Sequence, residues 1–214
     1  MKILHKNIID LKLTLKNIIF FIFLLSTNRI NAQSNISRII GFVKEPDYKY
    51  AFLLLPERKM TMKTSIIEGK FDFEIDKSQD FEMGTIYFGI DSNRTYKDVN
   101  EKRNEGINET KSIVLDDSVK IYVEDNVNEA ELIGGNDTKA LNAMNEAIKT
   151  RKYTGFFEAF PESPITVFLL KIMLSVEKKT SYRMFVDYEK IYSNLPLRLK
   201  ESKRGLEVKA LLEK

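Results

Sequence analysis

The residues that most often carry chemistry are nearly missing from this chain. Its 214 residues include no Cys, and its single His is His5. Beyond residue 32 there is neither a thiol nor an imidazole. Ser–His–Asp and Cys–His catalysis need an imidazole base, dithiol exchange needs thiolates, and the usual zinc sites draw on both. Those classes are excluded for residues 33–214. Carboxylates remain. Asp116, Asp117, Glu124 and Asp125 flank the segment 119–123. Hard oxygen ligands suit Ca²⁺, but this spacing matches no EF-hand loop, and acids at strand ends commonly serve as turn residues. Two carboxylates can also hydrolyse a glycoside, provided they converge in a cleft. Spacing along the chain does not bring any pair together, so no catalytic, cofactor-binding or metal-binding residue is assigned. The remaining candidate is aromatic. Phe156, Phe157 and Phe160 lie beside Gly155 and Pro161 between two helical patterns. They form either a plug that packs onto the neighbouring elements or a possible interaction surface for a partner or an apolar ligand.

The elements that would hold these residues follow from periodicity. The stretch 66–75 contains Phe71, Phe73 and Ile75 alternating with Lys70, Asp72 and Glu74. Period two marks a strand with one buried face and one wet face. Glu68-Gly69-Lys70 reads as a hairpin connection into it, and the strand is taken as the centre of a small antiparallel sheet. Further strands are expected at 37–43, 48–55, 61–67, 84–90, 112–115, 119–123 and 130–133. The charge-rich stretch 91–111 reads as a long loop. After Gly134-Gly135 the period becomes helical, over about 136–150. Ser163-Pro164 opens a second helix to about 178, with Ser as cap and Pro in the first turn. A third is expected from a Thr180 or Ser181 cap to 194, with Met184, Phe185, Tyr188, Ile191 and Tyr192 inward. A fourth covers about 197–212, bent at Gly205.

Composition sets the class. A hydrophobic content of 43% with 30% charged residues is that of a globular chain. Residues 1–32 have the order of a secretory signal peptide: Lys2, Lys6, Lys12 and Lys16, then the apolar run 18–25, then a polar stretch ending at Ala32. The run is short of the roughly 20 residues that span a bilayer, so membrane contact is expected only through this segment, were it left uncleaved. Setting aside its four Lys, Arg29 and Asp10 leaves 29 basic and 30 acidic residues, a formal net of −1. That balance makes no electrostatic case for nucleic acid. An exported chain without Cys must rest on its core, since no disulfide can form.

The order of several weak motifs resembles a known family. The Ile67-Glu68-Gly69-Lys70-Phe71-Asp72-Phe73 hairpin comes first. The strand 119–123 follows, then Ala130-Glu131-Leu132-Ile133-Gly134-Gly135. Pro161-Glu162-Ser163-Pro164 and the stretch from Tyr192 through Gly205 complete the series. Together they resemble the uncharacterised N-terminal domain of exported thioredoxin-like and peroxiredoxin-like proteins of Gram-negative bacteria. The resemblance implies a periplasmic or cell-envelope location and an association with thiol–disulfide chemistry. In that family a thioredoxin domain with a Cys-x-x-Cys pair follows, at about the position where this sequence reaches Lys214. The redox activity cannot be carried over, because its residues are absent.

The sequence therefore predicts an α+β protein. A signal segment (1–32) precedes an antiparallel β-sandwich or half-barrel (33–135), and a packed helical region of three to four helices (136–214) follows. The expected role is a non-catalytic, exported cell-envelope module that binds or assembles. The alternative is an accessory or truncated member of a thiol–disulfide system. The expected partner is an envelope protein or a thioredoxin-like protein. A carboxylate hydrolase is the third reading.

Overall fold

The computed structural model describes residues 36–213 apart from 45–46, 78–80, 105–108, 181–182 and 185. The leader, the expected cap Ser181 and the expected inward Phe185 lie outside the described residues. Residues from Asn35 onward form one compact unit. Among the described residues there are eight strands: β1 (Ile36–Val43), β2 (Tyr50–Leu55), β3 (Met60–Ser65), β4 (Lys70–Asp76), β5 (Met83–Gly89), β6 (Thr110–Val114), β7 (Ser118–Val123) and β8 (Glu131–Gly134). The first sheet has the order β4-β1-β7-β8 and the second β3-β2-β5-β6. All pairings are antiparallel except β1 with β7, which is parallel. The protein is α+β, with two four-stranded sheets followed by a helical region.

The alternation in β4 has the predicted effect. Phe71, Phe73 and Ile75 are buried while Lys70, Asp72, Glu74 and Asp76 are exposed. Its place in the sheet differs from expectation. β4 is an edge strand, and β1 and β7 are the strands that pair on both sides. Glu68 and Gly69 do form a two-residue turn, with φ of 50° and 72°. Positive φ at both central residues is the hairpin pattern that favours Gly. Yet the ladder it starts ends at once, with only Ile67 and Lys70 bridged. The chain instead crosses to the other sheet, where β1 accommodates β4. Arg38 lies 3.5 Å from Asp72 and 3.9 Å from Glu74. At Gly41 a Cβ would fall 1.9 Å from the Phe71 ring, so only glycine leaves room for it. The Phe71 ring then meets Phe88 of the second sheet edge-on, with centroids 5.4 Å apart.

The stretch 91–111 is not wholly a loop. It holds helix α1 (Tyr96–Asn104). Thr95 and Asp98 form a capping box: the Thr95 N–H and hydroxyl donate to Asp98 Oδ2 at 2.7 and 2.8 Å. Such a reciprocal cap stabilises a helix start. Val99, fully buried, lays the helix on the outer face of the second sheet beside Phe52 and Tyr87.

Among the described residues six helices follow β8: α2 (Asn136–Thr150), α3 (Tyr153–Ala159), α4 (Pro164–Lys179), α5 (Tyr188–Asn194), α6 (Leu197–Lys200) and α7 (Lys203–Leu212). Their buried faces join the sandwich interior in a single apolar cluster. The expected third helix starts later than predicted. Thr180 closes α4, with its hydroxyl donating to Val176 O at 2.9 Å. Asp187 caps α5 instead, accepting from Lys190 N at 3.0 Å. The expected bend at Gly205 falls earlier, at 201–202, where Ser202 accepts from Gly205 N at 3.1 Å and starts α7. Gly205 serves close packing: a Cβ there would lie 2.0 Å from Leu199 O.

Candidate functional site

Helix α3 carries the aromatic cluster. Phe156 and Phe157 are buried, at 4% and 6% exposure, and Phe160 is half-buried. Phe156 meets Phe157 edge-on at 5.4 Å and stacks with Phe160 at 5.7 Å. The three rings therefore do not form a free aromatic surface. A seven-residue helix, rather than a loop, turns them into the shared core. Of the three, Phe157 borders a cavity between α3 and α5.

Its volume is about 510 Å³. One wall is α3 and the chain after it, with Thr154, Phe157, Glu158 and Pro161. The other is α5 and its approach, with Val186, Asp187, Lys190, Ile191 and Asn194. Thr166 and Leu195 complete it. A second hollow of about 410 Å³ adjoins it at Thr154 and Val186 and continues past Tyr153, Gly155 and Met184 to Arg151 and Lys152. The two form one trough on both sides of Thr154.

Local structure holds each wall. Ser163 caps α4, accepting from Ile165 N at 3.3 Å, and the Thr166 hydroxyl donates to Phe160 O. These bonds fix the turn between α3 and α4. Glu177 accepts from Met184 N and pairs with Arg183 at 3.7 Å, tying the approach to α5 onto α4. Tyr188, the first residue of α5, has its hydroxyl pushed above the usual tyrosine range by burial and by the neighbouring Glu177 carboxylate. It stays a neutral phenol.

The acidic residues are dispersed. Asp116 and Asp117 precede β7, and Glu124 and Asp125 follow it. Six residues of strand separate them by roughly 20 Å. Among the described residues no group of three or more His, Cys, Asp or Glu is placed to hold a metal ion. Asp116 has a structural task. Its Oδ2 accepts from the Thr138 N–H and hydroxyl, both at 3.2 Å, so a strand-end carboxylate caps α2 from outside the helix. Beside it, Asp137 accepts from the Ser163 hydroxyl at 2.8 Å. Burial raises the Asp137 carboxyl, the Ser163 bond opposes this, and the Asp116 charge adds to it.

The trough holds no thiol or imidazole, since neither occurs beyond residue 32. Phe157, Pro161, Val186, Ile191 and Leu195 give it apolar lining, Arg151, Lys152, Glu158, Asp187 and Lys190 give it charges of both signs, and Thr154, Thr166 and Asn194 offer uncharged hydrogen-bonding groups. Sequence reasoning overlooked most of these residues. A signal was present: Asp187, Lys190, Ile191 and Asn194 recur at i, i+3, i+4 and i+7, which is one face of a helix. No family model, no curated protein and no solved structure matches the chain.

Proposed function

We propose that the protein is an exported, non-catalytic module of the Gram-negative cell envelope that works by binding a segment of a partner protein. The observation that carries this is the trough. A lining that mixes apolar groups, charges of both signs and neutral hydrogen-bonding groups suits a peptide segment, which brings backbone amides as well as side chains. The leader pattern and the family resemblance support the envelope location. The chemistry supports binding over catalysis, since no imidazole or thiol occurs beyond residue 32.

The test is capture from periplasmic extract under reducing and under oxidising conditions, with the native protein and with Thr154→Arg and Asn194→Arg. Both sites are exposed, so the variants should fold and fill the trough with bulk and charge. The expected result is a protein retained by the native chain and lost with either variant. Recovery of nothing in either condition, or equal recovery by all three chains, overturns the reading. Retention of a Cys-bearing thioredoxin-like protein would instead support the accessory role in a thiol–disulfide system.

A further inference from the structure

The outer face of the first sheet carries an inference of its own. Strand register arranges its outward side chains in rows across the four strands. One row runs Lys70, Phe42, Tyr122, Glu131 from β4 to β8. The next runs Asp72, Ile40, Lys120, Ile133. The third begins Glu74, Arg38, Ser118. The Phe42 and Tyr122 rings stack at 4.9 Å with planes 8° apart. Ile133 is 48% exposed. Arg38 is paired with Asp72 and Glu74. Lys70, Lys120 and Glu131 are exposed, and among the described residues no ion pair engages them.

The first row has opposite charges at its two ends and aromatic rings between. We propose that this face docks a second copy of the chain, related by a two-fold axis that lies in the interface and runs along the strands. That operation keeps each row opposite itself and reverses its order. Lys70 then faces Glu131 of the second copy, and Glu131 faces its Lys70. Phe42 meets Tyr122, which places four rings at the centre. Lys120 comes beside Asp72 across the interface. Isologous contacts of this kind require a self-complementary patch, which the row supplies. A two-fold axis across the strands sets each strand against itself, and β8 then offers Glu131 no basic residue directly opposite. Sheets packed face to face with strands nearly aligned are a standard geometry.

The size of the face sets the strength. Four strands about 4.8 Å apart and up to eight residues long at about 3.3 Å each give a footprint of roughly 500 Å². That is below the roughly 800 Å² per partner of a standard stable interface, so the dimer is weak, with a Kd of order micromolar or above.

The test is sedimentation velocity on the full chain over a concentration series, with charge reversals to separate this face from any association through the leader. Lys70→Glu sets like charges opposite each other twice per dimer, as does Glu131→Lys. Each should weaken the dimer about tenfold or more. The double variant K70E/E131K restores opposite charges in swapped positions and should return the Kd to within about threefold of the native value. High salt should weaken the native dimer. A native chain that stays monomeric up to about 1 mM overturns the proposal. So does a dimer indifferent to both single reversals, or one that the double variant fails to restore. Both side chains are exposed, and circular dichroism of each variant confirms that folding is retained. The partner-capture experiment addresses a different surface, so either proposal can fail alone.

Discussion

The two outer faces of the sandwich are alike in construction and opposite in fate. On the second sheet, Tyr50, Phe52 and Leu54 of β2 and Tyr87 of β5 point outward, and α1 covers them. Phe52 and Tyr87 stack at 4.9 Å, Tyr96 of α1 lies 6.0 Å from Tyr87, and Val99 is fully buried. On the first sheet, the outward residues of β4 are Lys70, Asp72, Glu74 and Asp76, and β1, β7 and β8 add scattered apolar groups. No helix covers that face among the described residues. The difference shows what decides whether a sheet face needs a lid. A face with three consecutive apolar outward positions on one strand gains from burial, at about 25 cal/mol per Å². A face framed by charges is stable in water and keeps only a narrow apolar strip, available for contact.

The largest expected effect tests what joins the two sheets. Arg58 donates to Asp76 O at the end of β4 and grips Glu82 beside β5 through three bonds of 2.6 to 3.0 Å. Glu82 is 2% exposed. Glu82→Ala leaves the Arg58 charge without its partner and should cost about 3–5 kcal/mol in urea unfolding, since breaking a buried pair strands the remaining ion. A loss below about 1 kcal/mol would mean that the sheets hold together without this clamp.

The comparison itself is tested next. Val99→Ala under α1 should cost about 2 kcal/mol through lost burial and a residual cavity. Ile133→Ser on the open face should cost about 0.5 kcal/mol or less. Equal losses at the two positions would break the distinction between a covered and an open face.

A smaller effect concerns how the cover is held. Thr95→Ala removes half of the α1 capping box and should cost about 1 kcal/mol. The Thr95 amide and then its hydroxyl hold Asp98 below the usual carboxylate range. A depressed acid stabilises the fold above its unfolded-state pKa, and that contribution is lost as pH falls through the folded-state value. The protection of the α1 amides, taken relative to their intrinsic exchange rate at each pH, should therefore fall under acid conditions, and Asp98→Asn should flatten that response.

The smallest effect has the opposite sign. Burial raises Asp137, so its ionised form weakens the fold at neutral pH. The penalty lifts as pH falls through the raised folded-state value and is gone below the unfolded value. Asp137→Asn should remove that gain on mild acidification in unfolding curves recorded at several pH values. An unchanged pH profile would show that Asp137 does not titrate with folding.

Much of this fold is legible in the sequence because it is local. The alternation of Phe71, Phe73 and Ile75 fixes which side of β4 is buried, whatever it pairs with. Ser163-Pro164 starts α4 as predicted, because cap and first-turn chemistry involve near neighbours. Even α1 was readable: Thr95 followed by Asp98 three residues later is a capping signature, hidden within a polar stretch. The trough was only half legible, since one helix face carries its wall but nothing local says what that face opposes.

The sequence by itself determined that residues 33–214 do no thiol or imidazole chemistry, that strands precede helices, and which face of each is apolar. These are consequences of composition and periodicity, which need no partner. Only the tertiary structure decided that β4 is an edge strand, that Asp116 caps a helix 20 residues away, and that Phe156 and Phe157 turn inward. It also set Lys70 and Glu131 at opposite ends of one row. Those outcomes depend on which distant backbones meet, and the strength of a contact across the fold depends on burial and register, neither of which is carried by residues next to each other in the chain.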